Sequence, residues 1–234
     1  MDILLTGASR GIGYETALSL SKICPNRIMV VARNKIALER LSDEIADFQN
    51  GSILIPIILD LEKNEAISNI IHQIEIHKFR PNILINNAGL LIKGSITDIS
   101  PADFDRMFQL NVKSVFFLVQ SLIPYLETGS HIVNISSMGG YQGSAKFSGL
   151  SLYSSSKGAL AILTESMAEE LKPYHISVNC LTLGAVQTEM LAEAFPDYIA
   201  PVTAASIGKF IADFAINGNR FFNGKILPVS LSTP

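Results

Sequence analysis

Short apolar runs rich in branched residues alternate with longer amphipathic ones along the chain, and few folds accommodate that order. DILLT (2–6) precedes GYETALSLSK (13–22), RIMVVA (27–32) precedes KIALERLSDEIADF (35–48), and SILIPIILD (52–60) precedes AISNIIHQIEIH (66–77). NILIN (82–86) leads to a helix predicted from about Asp103 to Leu126, and HIVNIS (131–136) leads to the helix that carries Tyr153. ISVNCLT (176–182), AASIGKFIADFAI (204–216) and KILPVS (225–230) complete the series as strand, helix and strand. Strands joined through helices lie parallel, cross over right-handed, and bury both faces of their sheet. The expectation is an α/β chain, doubly wound, with a parallel sheet of about seven strands and helices on both faces. Nothing resembling a linker, repeat or low-complexity tract interrupts residues 1–234, so one domain is expected.

Composition narrows the partners. The mean hydropathy of +0.32 is high, yet proline, glycine or charge breaks every apolar run short of a membrane span, so the hydrophobicity is assigned to buried strands. A formal charge of −3 argues against a nucleic-acid or anionic-membrane surface. MDILLTG, with its acid at position 2, is neither a basic leader nor a transit peptide, and a cytoplasmic protein is expected. The two cysteines, Cys24 and Cys180, and the four histidines, His72, His77, His131 and His175, show no metal or redox spacing. They are read as buried thiols and surface imidazoles, with no metal.

In open parallel sheets ligands bind beyond the carboxyl ends of the strands. TGASRGIG (6–13) stands there, with Gly7, Gly11 and Gly13 in a GxxxGxG spacing that lets backbone approach a pyrophosphate at a helix N-terminus. SLYSSSKGAL (151–160) puts Tyr153 four residues before Lys157, on one face of a helix. NNAG (86–89), Asn111 and the serine of NISS (134–137) fall between them. In order and spacing these five motifs resemble the short-chain dehydrogenase/reductase family over nearly the whole chain. The resemblance implies a Rossmann fold and a nicotinamide-dependent oxidoreductase acting on a carbonyl or alcohol.

The chemistry of the residues agrees. Hydride arriving at a carbonyl carbon leaves negative charge on oxygen, and a donor aimed at that oxygen lowers the barrier. A phenol has an unperturbed pKa of about 10 and needs help to act near neutrality; a nearby ammonium supplies it. The resemblance makes Tyr153 the acid/base and Lys157 the residue that holds the nicotinamide ribose and lowers the phenol pKa. Ser137 becomes the donor to the substrate oxygen, and Asn111 the holder of a relay water. Ser136 and Ser137 are consecutive on a strand and point to opposite faces, so only Ser137, with its SxxG spacing to Gly140, is expected to face substrate. The resemblance also implies cofactor contacts from Gly7, Ser9, Arg10, Gly11, Ile12 and Gly13, then from Arg33, Asp60 and Leu61. Asn87, Ala88 and Gly89, the pair Tyr153 and Lys157, and finally Gly184, Val186 and Thr188 complete them.

The second strand ends VVARN, with Ala32 where an acid that selects NAD would stand and Arg33 next. Arg10 and Ser9 are expected to reach the same 2′-phosphate, and NADP(H) is the expected cofactor. Leu90, Leu91, Met138, Tyr141, Met190, Leu191, Phe195 and Tyr198 are expected to wall an apolar pocket for an uncharged or aromatic carbonyl. FFLVQSLI and ALAILTESMA are apolar over more than one face, which suggests burial beyond one sheet, and the resemblance implies that these helices pair between copies in a homodimer or homotetramer. Departures from the family are the long MGGYQGSAKFSGLSL segment (138–152), Leu183 in place of a proline before Gly184, and a short lid after Thr188. A 3-ketoacyl-carrier-protein reductase, docking on Lys93, Lys146 and Arg106, and a non-catalytic NADP(H)-binding protein are the alternatives.

Overall fold

The computed structural model describes residues 1–23 and 25–231; Cys24 lies outside them. Strands β1 (Asp2–Thr6), β2 (Arg27–Ala32), β3 (Ile53–Ile58), β4 (Ile83–Asn86), β5 (His131–Ser137), β6 (Ser177–Leu183) and β9 (Ile226–Val229) form one sheet in the order β3-β2-β1-β4-β5-β6-β9. All its pairings are parallel. The chain winds outward from β1 to β3, returns to β4 beside β1, and then winds the other way. This reversal opens a crevice at the carboxyl ends of β1 and β4, where neighbouring crossovers diverge.

Alternate strand residues face opposite layers, which explains the unbroken apolar runs. Ile3, Leu5, Val30, Ile85 and Val133 pack in the layer shared with α1 (Gly11–Ile23), α2 (Lys35–Ala46) and α8 (Ala204–Asn217). Leu4, Met29, Val31, Leu84 and Ile132 face α3 (Ala66–Ile76), α5 (Ser114–Leu122) and α6 (Ser151–Glu170). Edge strand β3 departs from the fully buried expectation, because Ile53 and Ile58 are half exposed, and Pro56 is tolerated there since an edge has a free side.

Local chemistry sets the helix starts. Asn34 caps α2 by accepting from the Ala37 N–H at 3.1 Å. Ser100 and Asp103 form a capping box on α4 (Pro101–Phe108), with Pro101 in the first turn. The long helix expected from Asp103 to Leu126 therefore begins at Pro101, and it is not uniform. A π-turn over Gln109–Lys113 separates α4 from α5, and a 3₁₀ turn over Ile123–Tyr125 ends it. Beyond β6, the chain makes a two-residue ribbon, β7 (Val186–Gln187) with β8 (Val202–Thr203), around the six-residue α7 (Glu189–Ala194).

His131 corrects the surface reading of the histidines. It is 1% exposed, with Nδ1 2.9 Å from the Ala215 carbonyl and Nε2 accepting from Asn179 Nδ2 at 3.0 Å. Asn179 cannot turn its amide round, because its Oδ1 receives the Lys225 N–H at 3.1 Å. The ring is thus fixed neutral with its proton on Nδ1, and burial pushes its pKa down to about 4. His72, His77 and His175 are exposed. Among the described residues no helix is long and apolar enough to cross a membrane.

Candidate active site

A cavity of about 580 Å³ opens at the crevice. Its floor is the turn after β1, where Gly7 has φ +76° and Gly11 φ +56°. A Cβ on Gly7 would stand 2.7 Å from the Ala88 Cα, and one on Gly13 would overlap the Gly7 carbonyl. Side chains are excluded here because α1, the β1 turn and the NNAG segment touch through backbone. Asn87 locks that contact by donating to the Thr6 and Gly7 carbonyls at 3.1 and 2.9 Å. The Thr6 hydroxyl in turn receives the N–H groups of Asn87 and Ala88, both at 3.1 Å.

Tyr153 sits in the first turn of α6 and Lys157 one turn later, with both side chains on the cavity. Lys157 is 4% exposed, and its Nζ donates to the Ile135 carbonyl at 2.9 Å. Burial lowers the ammonium pKa to about 8. Ser137 ends β5 and accepts the Gly139 N–H at 3.1 Å, and its hydroxyl draws the Tyr153 phenol pKa down against the effect of burial. Ser136 faces the other way and donates to the Lys157 carbonyl at 2.8 Å. The SxxG spacing has a packing cause: a Cβ on Gly140 would come within 2.5 Å of the α6 backbone at Gly158. Cys180 lies below this cluster, fully buried, its thiol pushed up to about 11 by burial while the Lys157 charge pulls it down.

Asn111 occupies the π-turn, with no exposure. Its Oδ1 accepts the Leu90 N–H at 2.8 Å, and its Nδ2 donates to the Leu90 carbonyl and the Ser156 hydroxyl, both at 2.9 Å. The amide therefore pins the segment after β4 to α6 from behind. Residues 2–199 match the family described as short chain dehydrogenase. The chain belongs to that family.

Versicolorin reductase stcU of Emericella nidulans is 31% identical over 199 residues, 84% of this chain and 73% of that protein. Carbonyl reductase [NADPH] 2 of Sus scrofa is 35% identical over 191 residues, 80% of this chain and 72% of the relative. Among solved structures, a short chain dehydrogenase from Burkholderia cenocepacia J2315 in complex with NADP superposes with a TM-score of 0.87 at 27% identity. The superposition covers 98% of this chain and 96% of that one. The protein is thus a short-chain dehydrogenase/reductase enzyme with the doubly wound fold that its sequence predicts.

Every residue expected at the cofactor lines this one cavity of the enzyme, as does Ser137; Asn111 stands behind the wall. The surroundings of three expected residues were not announced by the sequence. The expected relay-water holder Asn111 has its side chain committed to Leu90 and Ser156. Burial raises the Tyr153 phenol and Ser137 draws it down, whereas Lys157 is turned onto Ile135 with Nζ 6.0 Å from the phenol ring centre. Arg33 has no acid beside it in sequence but meets two in space, Asp60 at 3.9 Å and Glu62 at 3.6 Å. Leu183, the departure before Gly184, is held in the sheet. Unlike a proline it can ladder, and it ends β6 in register with both Ser137 and Val229.

Of the apolar candidates, Leu91, Met138, Met190, Leu191, Phe195 and Tyr198 line the cavity, while Leu90 and Tyr141 do not. The Leu90 backbone is taken up by Asn111, and the Tyr141 carbonyl by Lys146 at 2.7 Å. Phe147 and Leu150 line the cavity without having been expected there. Phe147 stacks edge-on against Phe195 at 6.2 Å, and Lys93 stands 4.6 Å over the Phe195 ring and donates to the Ala194 carbonyl at 2.8 Å. Arg10 ties the glycine turn to α7 through Glu193 at 3.1 Å. A phenylalanine in a glycine- and serine-rich loop was the signal for Phe147, but only the partner ring gives it a place.

Proposed function

We propose that this enzyme is a one-domain, cytoplasmic, NADP(H)-dependent oxidoreductase that interconverts a small apolar or aromatic carbonyl and its alcohol. The observation that carries the reading is the convergence of Tyr153, Ser137 and Lys157 on one cavity whose wall also includes Leu91, Phe147, Met190, Leu191 and Phe195. The residues fit a dinucleotide: the Gly7 and Gly13 cradle is one that a Cβ would fill, and Arg33 is among the residues that line the cavity. Gly7, Ser9, Arg10, Gly11, Ile12 and Gly13 would hold the pyrophosphate side, Arg33, Asp60 and Leu61 the adenosine. Asn87, Ala88, Gly89, Lys157, Gly184, Val186 and Thr188 would hold the nicotinamide side. When bound, NADPH supplies a hydride to the carbonyl carbon.

Tyr153 gives its phenolic proton to the carbonyl oxygen as the double bond becomes single, and Ser137 donates a second hydrogen bond to that oxygen. In the reverse direction Tyr153 takes the alcohol proton, and the Lys157 charge supports its phenolate. A relative named carbonyl reductase [NADPH] supports the cofactor and the carbonyl substrate class. The carrier-protein alternative is disfavoured, because Lys93, Lys146 and Arg106 are engaged by Ala194, Tyr141 and Glu62 within the chain. Phe116 and Phe117, exposed on α5, support assembly with a second copy.

NADPH oxidation with a panel of aromatic, aliphatic and phosphorylated ketones tests the reading. Tyr153→Phe should lower turnover by about 10²-fold or more while NADPH affinity stays within about twofold. Lys157→Met should weaken NADPH binding and move the alcohol-oxidation pH profile upward. Arg33→Asp should erase a preference for NADPH over NADH of about tenfold. Near-native turnover in Tyr153→Phe would overturn the mechanism, and a wild-type preference for NADH the cofactor.

A further inference from the structure

We propose that Arg106, which lies outside the cavity on α4, sets the enzyme's preference for a 2′-phosphorylated dinucleotide by holding Glu62 away from Arg33. The inference rests on the NADP(H) reading above. Arg33 and Asp60 line the cavity; Glu62 and Arg106 are not part of its lining. Glu62 is the better buried member of the group, its side chain 15% exposed against 51% for Arg106 and 65% for Arg33. A carboxylate with so little water needs a partner, and two guanidinium groups compete for it.

The distances decide the competition. Arg106 grips Glu62 side-on, Nε to Oε2 at 2.9 Å and Nη2 to Oε1 at 3.4 Å. Arg33 stands 3.6 Å from the same Oε1 and 3.9 Å from Asp60, and neither separation is a hydrogen bond. Arg33 is therefore attracted to both acids and bonded to neither, so its planar fork stays available for a phosphate, which it can grip through two parallel bonds. Without Arg106, the Glu62 carboxylate would turn to the one guanidinium left beside it. Arg33 would then be neutralised by two acids, and a dianionic 2′-phosphate would approach a locally negative site. The capping box formed by Ser100 and Asp103, three residues before Arg106, fixes the helix that aims Arg106 at Glu62.

Calorimetric titration of the full chain with adenosine 2′,5′-bisphosphate and with adenosine 5′-monophosphate tests this without any turnover. Wild type should bind the bisphosphate more tightly. Arg106→Gln should weaken the bisphosphate about fivefold, the upper scale of an exposed charge pair, and leave the monophosphate within about twofold. Glu62→Gln should remove the need for Arg106, so the Glu62→Gln/Arg106→Gln pair should regain wild-type affinity for the bisphosphate. A structural role alone would weaken both ligands together in Arg106→Gln, and that result overturns the proposal. So does a double variant as weak as Arg106→Gln. A wild type that binds the two nucleotides equally sinks the NADP(H) reading itself, and this inference with it, before any variant is made.

Discussion

Beneath the cavity, Gly7, Gly13 and Asn87 leave no room for one added carbon; at its rim, Lys93, Phe147 and Phe195 meet through two ring contacts, and Lys93 hydrogen-bonds the Ala194 carbonyl. The floor is made of backbone pressed on backbone, where an atom either fits or does not. The rim is made of long side chains reaching across loops, each contributing a modest, adjustable amount. The difference teaches that shape tolerance in this enzyme rises from the cofactor end of the cavity to the substrate end. Binding a constant dinucleotide calls for the first, and admitting the carbonyl substrates proposed above for the second.

The strongest way to break the contrast is to add one methyl group to each region. Gly13→Ala should lower NADPH affinity at least about a hundredfold, or destabilise the chain by about 3 kcal/mol, since the new Cβ meets a carbonyl that cannot retreat. Gly143→Ala, in the rim loop at φ +81° with no atom within 4 Å of its Cβ, should cost about 1 kcal/mol through its backbone angle and leave affinity unchanged. Fluorescence titration and denaturant unfolding measure both. A Gly13→Ala variant that binds like wild type would remove the distinction.

Rigidity of the floor extends down β5, whose upper end is Ser137 and whose lower end is His131. The folded pKa of His131, about 4, lies below the unfolded value of about 6.5, so protons favour the unfolded chain between the two. The stability contributed by neutral His131 is fully present above pH 6.5 and is lost as pH falls toward 4, up to about 3 kcal/mol. Urea unfolding at pH 6.5 and 4.5 should show a steeper loss in wild type than in His131→Gln, and parallel losses would show that the ring titrates freely.

The rim responds more gently. Lys93→Met removes the donor to Ala194 and the cation over Phe195, and should raise KM for an aromatic ketone about fivefold with kcat and NADPH affinity nearly constant. A change in NADPH affinity of the same size would mean that rim and floor are one unit. Smallest of all, Glu193→Gln breaks an ion pair whose members are 52% and 68% exposed. It should shift stability by no more than about 0.5 kcal/mol, measured by thermal melts at low and high salt.

The floor was legible in the sequence because its constraints are local. Three glycines in a GxxxGxG spacing, apolar strand runs and a tyrosine one helical turn before a lysine each carry their cause within a few residues, and they fall together at one cavity. What the sequence concealed depends on contacts between distant residues. Nothing near His131 announces Asn179 or Ala215, which fix its burial and tautomer. Ala32 and Arg33 read as free of acids until β3 pairs beside β2 and brings Asp60 and Glu62 alongside. The π-turn at Asn111 was signalled only by an asparagine in mid-helix, and its hydrogen bonds to Leu90 span 21 residues.

Cys180 gives the sheet a clock of its own. The thiol has no exposure in the middle of β6, laddered on both sides, and its pKa near 11 leaves almost no thiolate at neutral pH. A thiol-directed alkylating reagent needs thiolate and access, and the folded chain offers neither. With Cys24 replaced by serine, the labelling rate of Cys180 would read how often β6 leaves the sheet. Nucleotide that binds only the intact cavity should slow that labelling by a factor that grows with its free concentration relative to its Kd.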